Sequence, residues 1–547
     1  MTFNAKRNLI LQNLLLIIAI FVAFGCANIQ RPLGGPRDKT PPKLLKATPA
    51  NSTRNFNAKI IQLDFDEYFK LNSIYQEITI SPDVAKAPEY SVRQKSLIIK
   101  LKDTLEKNTT YVINFGKAIA DVNEGNVLKN FTYVFSTGSH IDSLTVSGVV
   151  VNPLSQTKEK DVTVMLIPLK LDSVYYRKKK PAIYATTDTA GNFKMSNLHT
   201  GDYKIYALKE TNNNKIYDAD DELIGFTKNI IHLNRDTANI RLQIFKQMPD
   251  KLRPLERRID ADGKLFFTFN KGIPNPGVKI QDPDLDAQKI VEFGRNADTA
   301  TIYLKTMKFD SIKVSFLNNG KPLDTITLRR SQRDTYKRKI SLEYNTPNDK
   351  LKPGADLMVK ANYPIASIDK GRITLTEDSV EVNETDFNLI PNETDSKKFI
   401  IKYKWRPNKT YSLAFNEGTF ADIYGDKNSR LPKKFELDKP ENYSKLILNV
   451  TVPDTGHYVV QLLNTSDVEI RSDVITKSEK LVYNNYYTTK YHIKVIYDTN
   501  HNGKWDTGSV KLKTQPENIW LSKKEVSLRA NWDITEDVVI PKETKSP

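Results

Sequence analysis

The chain has 547 residues, a formal charge of +17 and a mean hydropathy of −0.49, with 39% hydrophobic and 10% aromatic residues. Length and apolar content suffice for roughly three to five domains, but the chain is too polar for a multi-span membrane protein. A single cysteine excludes an internal disulfide and a thiolate-rich zinc site. Lysines run along the whole chain without a basic–aromatic motif, which argues against nucleic acid as a partner.

Lys6 and Arg7 precede an apolar run, LILQNLLLIIAIFVAFG over 9–25, and Cys26 follows at once. The run is marginal for a hydrocarbon core of ~30 Å. Small residues at Ala23 and Gly25 leave room for a peptidase site ahead of the cysteine. This segment resembles the lipobox of bacterial lipoproteins. The resemblance implies a signal peptide over 1–25 and an acylated Cys26 that anchors the protein to the membrane. Asn28 is not acidic and no acidic cluster follows. The expectation is an outer-membrane anchor facing the periplasm, with surface exposure left open.

Residues 26–40 are rich in Gly and Pro and read as a tether. Next comes KIIQLDFDEYF, in which Ile61, Leu63 and Phe65 alternate with Gln62, Asp64 and Asp66. That is the period of a half-buried strand. SLIIKL, TYVINF and FTYVF follow the same alternation. Together, PP-x5-TPAN, LDFDEYF, NTTYVINFGKAIADVNEGN and FTYVFSTG resemble the bacterial Ig-like domain of S-layer proteins. The opening CAN-x5-GGPRDKTPP is similar to Ig-like-domain lipoproteins of Bacteroidota. The resemblance implies a β-sandwich over 41–138 and an envelope location, and it implies no activity.

Two internal repeats extend this reading. KNTTYVINFGKAIADVNEGN at 107–126 matches PNKTYSLAFNEGTFADIYGDKN at 407–428, which predicts a second Ig-like domain over 341–438. YKIYALKETNNNKIYDADDE at 203–222 matches YHIKVIYDTNHNGKWDTGSV at 491–510. SGVVV, VTVMLIPL and the turn around Gly191 resemble the prealbumin-like or carboxypeptidase-regulatory-like sandwich. The expectation is one such sandwich over 139–248 and another over 439–547. Strand patterns such as FFTFNKG and TATIYLK place a further β domain over 249–340. The predicted class is therefore all-β and multidomain.

The sharpest chemical motif lies in the second repeat. Asp498, Asn500, Asn502 and Asp506 alternate around Gly503, as oxygen ligands do in the first half of an EF-hand-type calcium loop. Position twelve, where a bidentate acid belongs, is Ser509. The first repeat offers Glu210, Asn212, Asn214 and Asp218, with Lys215 in place of the glycine. The competing reading is a polar turn whose side chains bond their own backbone.

No catalytic set stands out. Six histidines lack a metalloprotease spacing, and neither a nucleophile elbow nor a P-loop is present. Asp64 and Asp66 lie on a solvated strand face. RKKK at 177–180 is a basic run in a loop, and a contact with anionic lipid or glycan competes there with a plain solvated surface. The leading expectation is a lipid-anchored structural or binding protein of the envelope, with an envelope protein or glycan as partner and no enzyme activity. A surface adhesin or glycan-binding lipoprotein is the second reading. An enzyme with an interdomain site is the third.

Overall fold

The computed structural model describes residues 37–219, 221–331 and 333–543. The leader and Cys26 lie outside the described residues. The fold is nearly all-β, with 47% strand and 5% helix, so the short helices serve only as connections. No helix among the described residues is long and apolar enough to cross a membrane. The chain divides into two compact units between Ile141 and Asp142.

The first unit is a two-sheet sandwich. One antiparallel sheet runs Leu44–Thr48, Ile60–Phe65, Ser96–Lys100, Glu89–Arg93. The other runs Thr79–Ser81, Thr110–Asn114, Thr132–Ser136, and a ribbon pairs Phe69–Leu71 with Ile119–Asp121. The alternation read in the sequence points inward as expected. Ile61, Leu63 and Phe65 are buried against Leu97, Ile99, Tyr111, Ile113 and Phe135.

The second unit, from Asp142 on, holds four sheet pairs. The same two-sheet order recurs in Leu342–Tyr344, Leu357–Ala361, Lys398–Lys402, Asn388–Pro391, facing Ile373–Glu377, Thr410–Phe415, Leu431–Leu437. Its ribbon pairs Ile365–Ile368 with Phe420–Asp422. The aligned residues of the two copies do the same work. Asn108 and Asn408 both hold positive φ, at 51° and 59°, a conformation that Asn tolerates better than most side chains. The hydroxyl of Tyr111 accepts the Glu106 N–H at 2.9 Å, and that of Tyr411 accepts the Arg406 N–H at 2.6 Å.

Those hydroxyls tie a loop to the core, which gives a direct test. Tyr111→Phe and Tyr411→Phe should each lower unfolding stability by about 1–2 kcal/mol, because each leaves a part-buried N–H without its acceptor. Urea denaturation at unchanged m-value measures it. A loss below about 0.3 kcal/mol at both positions would mean that the rings alone hold the loops.

The segment between the two repeats is a third version of the same plan. Pro254–Ile259, Leu265–Phe269, Thr299–Tyr303, Ile290–Phe293 form one sheet, and Pro276–Ile280, Ser311–Asn318, Lys321–Arg329 the other. The strand order matches that of the two Ig-like copies, without the ribbon. Phe267, Phe269 and Phe316 meet edge to face in its core.

The remaining two sheet pairs also match each other. In the first, Leu144–Val151 lies between antiparallel Asn192–Leu198 and parallel Thr237–Gln243. In the last, Tyr443–Thr451 lies between antiparallel Glu479–Tyr487 and parallel Asp533–Val539. The opposing sheets centre on Thr163–Pro168 with Gly201–Lys209, and on Tyr458–Leu463 with Lys490–Tyr497. Gly191 turns into its hairpin at φ 73°, where a Cβ would be strained.

Within the second unit the sheet pairs touch in a closed circuit. The middle pair meets the second Ig-like pair through Glu292, which accepts from Lys397 at 2.6 Å and from Tyr303, and through Tyr363 donating to Asp262 at 2.8 Å. The Ig-like pair meets the last sandwich where Asn485 donates to the Pro353 carbonyl at 3.1 Å. Arg295 of the middle pair meets Glu469 of the last sandwich at 2.5 Å. The last sandwich returns to the first through the loop described next.

Candidate functional site

Each sandwich carries a polar loop after its long strand, Gly201–Lys209 in one and Lys490–Tyr497 in the other. The loops are built bond for bond alike. At the head, Glu210 accepts the Lys215 N–H at 2.7 Å, and Asp498 accepts the Gly503 N–H at 2.8 Å. Asn212 and Asn214 donate their amides to Asp218 at 3.1 and 2.8 Å, while Asn500 and Asn502 donate theirs to Asp506 at 2.7 and 2.5 Å. The amide oxygens turn back to the chain, Asn214 accepting from Ile216 N–H and Asn502 from Lys504 N–H. These are Asx turns, which spare the backbone a regular partner.

In each loop the two asparagines meet the later aspartate, while the first acid accepts a main-chain N–H of the turn. The glycine difference matters less than the sequence implies. Lys215 adopts φ 59° where Gly503 has 72°, so the lysine accepts the left-handed conformation. Burial raises the Glu210 carboxyl pKa above its ordinary value, against the opposing pull of the Lys215 N–H and charge.

One acid in each loop escaped the sequence motif. Glu222 accepts the Asp218 N–H at 2.9 Å and the Ala219 N–H. Glu517 accepts the Asp506 N–H at 3.1 Å and both the N–H and hydroxyl of Thr499. Both close the neck of the loop from just ahead of the next strand, Leu223–Phe226 or Ile519–Leu521. ELIGF and ENIWL are the trace of this in the sequence. Among the described residues, no three His, Cys, Asp or Glu side chains gather to hold a metal ion. A cation at 498–506 would need the Asn500 and Asn502 oxygens and main-chain carbonyls beside the two aspartates.

The second loop is longer, and its extra residues leave their own sandwich. Thr507 donates its hydroxyl to the Lys246 carbonyl at 2.6 Å. The Val510 N–H bonds to the Gln247 side-chain oxygen at 2.9 Å, and Gln515 reaches the Phe226 carbonyl at 2.8 Å. Lys511 pairs with Asp250 at 3.0 Å. Val510 packs on the cluster of Tyr206, Phe226 and Phe245. Gly508 lies so close to Phe245 that a Cβ would fall 2.5 Å from the ring. This clamp closes the circuit.

Other sequence candidates have structural partners. Asp64 accepts from Gln62 and Ser96, and Asp66 accepts the Lys43 N–H at 2.8 Å. His457 stacks on His501 with ring centroids 3.6 Å apart. His199 and His232 face Asp142 and Asp202.

Residues 38–137 match the model of the bacterial Ig-like domain. A search of curated proteins finds no match to this chain. Among solved structures, the major pilin subunit BcpA of Bacillus cereus is 10% identical over 73% of this chain and 99% of that one, at a TM-score of 0.14. The S-layer protein SbsC, domains 1–6, is 11% identical over 90% and 68%, at 0.14. The Bacteroides ovatus mixed-linkage glucan utilization locus protein SGBP-B, solved with a mixed-linkage heptasaccharide, is 8% identical over 63% and 86%, at 0.19.

Proposed function

We propose that this chain is a lipid-anchored, non-catalytic protein of the outer membrane that faces the periplasm and holds an envelope protein or glycan partner. The observation that carries this reading is the repetition of Ig-like and sandwich sheet pairs, those of the second unit closed into a circuit by the clamp. Such a build spends its polar residues on turns and junctions. The boundaries that go with it are a tether over 26–40 and domains over 41–138, 139–248, 249–340, 341–438 and 439–547. Crosslinking in native membranes followed by affinity purification tests the reading. One partner recovered at stoichiometric yield supports it. Turnover of peptidoglycan, polysaccharide or peptide by the purified chain overturns it. Protease shaving of intact cells decides between a periplasmic holder and a surface adhesin.

Calcium belongs to the same reading as a stiffener of the clamp base. Asp498, Asn500, Asn502 and Asp506 would hold it, and the counterpart Glu210, Asn212, Asn214 and Asp218 more weakly, because Lys215 brings its own charge. Ser509 cannot supply a bidentate acid, so the expected affinity is on the order of 10⁻⁴–10⁻³ M, as in extracellular modules. Calorimetry with millimolar calcium should give heat and a higher melting temperature, both lost in Asp506→Asn. If neither changes in the wild type, the loop is a hydrogen-bonded turn and nothing more.

A further inference from the structure

The two matched sandwiches differ at one sheet edge. In the first, the outer strand Tyr184–Thr186 has three residues, all buried. The connection that leads to it folds back on the sheet, where Asp172 accepts from Lys204 at 2.6 Å and from the Tyr206 hydroxyl at 2.8 Å, and Tyr176 stacks on Tyr206. A short, covered strand is one way in which an edge is kept from pairing with other chains. In the last sandwich the outer strand is Glu469–Ile475, joined to Tyr458–Leu463 by the turn 464–468 alone. Among the described residues it pairs with no other strand. Ile470 is 46% exposed and Val474 54%.

The main chain of this strand has a fixed phase. The Tyr497 N–H bonds to the Asn518 carbonyl, away from Tyr458 across from it. Tyr458 therefore turns its own N–H and carbonyl the other way, to Ile475. Alternation then directs Asp473 and Arg471 to the same neighbouring strand, and the N–H and carbonyl groups of Ser472 and Val474 to the open side. The register breaks only at the hairpin end, between Leu462 and Leu463, so the edge is regular from Arg471 to Ile475. Side chains alternate likewise. Arg471 and Asp473 share one face, where Arg471 Nε lies 3.0 Å from the carboxylate and Asp473 accepts the Tyr483 hydroxyl at 2.9 Å. Ile470, Ser472 and Val474 share the other.

We infer that this edge pairs with the same edge of a second copy of the chain, antiparallel about a two-fold axis at Ser472. That axis sets Ser472 against Ser472, so that main-chain groups already turned to the open side meet. It also sets Arg471 opposite Asp473 and Ile470 opposite Val474, each twice. Opposite charges and branched apolar side chains directly across from each other are pairs that stabilise antiparallel sheets, and a two-fold junction must be self-complementary in this way. An axis at Val474 would put Arg471 opposite Lys477 and Asp473 opposite Ile475. An axis at Ile470 would put Asp473 opposite Asp467. Charge complementarity thus points to a second copy as the occupant and to Ser472 as the register. One strand edge buries less than a standard interface of ~1,600 Å², so the dimer is weak and depends on concentration.

Sedimentation of the full chain in detergent should show a monomer–dimer equilibrium. Arg471→Glu sets like charges across the axis twice and should weaken it about tenfold, with an unchanged circular dichroism spectrum. Ser472→Cys should form an intermolecular disulfide under mild oxidation, because opposed Cα atoms about 5.5 Å apart suit that bond. The wild type and Leu323→Cys, 45% exposed on the middle sheet pair, should not. A chain that stays monomeric up to its solubility limit overturns the proposal. So does a dimer that Arg471→Glu leaves intact, or one that Ser472→Cys fails to crosslink. Equal crosslinking by Leu323→Cys would mean random collision and overturns it too. Oxidation of native membranes in which Ser472→Cys joins another protein and never itself would assign the edge to an extended segment of that protein, against the proposal.

Discussion

Gly508→Leu should open the clamp between the first and last sandwiches. The added Cβ alone would fall 2.5 Å from the Phe245 ring. That ring cannot retreat, because it is buried and packs edge-on against Phe226 at 6.2 Å. Overpacking of this kind costs about 1–3 kcal/mol. The clamp has few bonds with which to resist it, chiefly those of Thr507, Val510, Lys511 and Gln515. Small-angle scattering should show a larger radius of gyration, and calorimetry should show an added transition below those of the wild type. Phe245→Ala in the same chain should restore much of the contact by making room, and the double-mutant cycle would measure the coupling. An unchanged scattering profile for Gly508→Leu would show that the loop yields and the circuit does not depend on it.

Cys26→Ser should leave an unacylated precursor and abolish lipoprotein maturation. In the proposed reading the thiol is the acyl acceptor, and the sequence holds one cysteine. No other side chain can then replace it. Fractionation should show a change from membrane-bound, mature protein to an unprocessed precursor that retains residues 1–25. Two or more acyl chains give stable anchoring that a single chain does not, so the expected effect is close to complete. Mass spectrometry that finds an unmodified Cys26 on membrane-bound wild type would overturn the assignment.

How much could be read in advance differs from element to element, for physical reasons. The two Ig-like copies were legible because their turns impose residue types. Asn108 and Asn408 sit at positive φ, and Asp121 and Asp422 accept main-chain N–H groups of the turns that follow them. The middle pair shares the strand order but not those residues. Strand alternation alone is degenerate, so its β content was evident and its kinship was not. The paired loops were found through their Asp and Asn spacing, which local bonds dictate. Glu517 was missed because the clamp residues displace it from the register that Glu222 holds. The clamp itself was illegible. Thr507, Gly508 and Gln515 look like ordinary loop residues, and their meaning lies in Lys246, Phe245 and Phe226 far away in the chain.

The circuit also has a mechanical consequence. Val510 bonds to Gln247 across 263 residues, so both ends of the second unit belong to sandwiches already fastened to each other. A pull applied between Asp142 and the C-terminal strand Asp533–Val539 would load the clamp first. While it holds, the middle pair and the second Ig-like pair form a slack side-branch and carry little tension. Once it and the Arg295–Glu469 pair give, those pairs come into line and the reach of the chain grows abruptly. The protein would then act as a stiff spacer under small forces and as an extensible one above the strength of those two junctions.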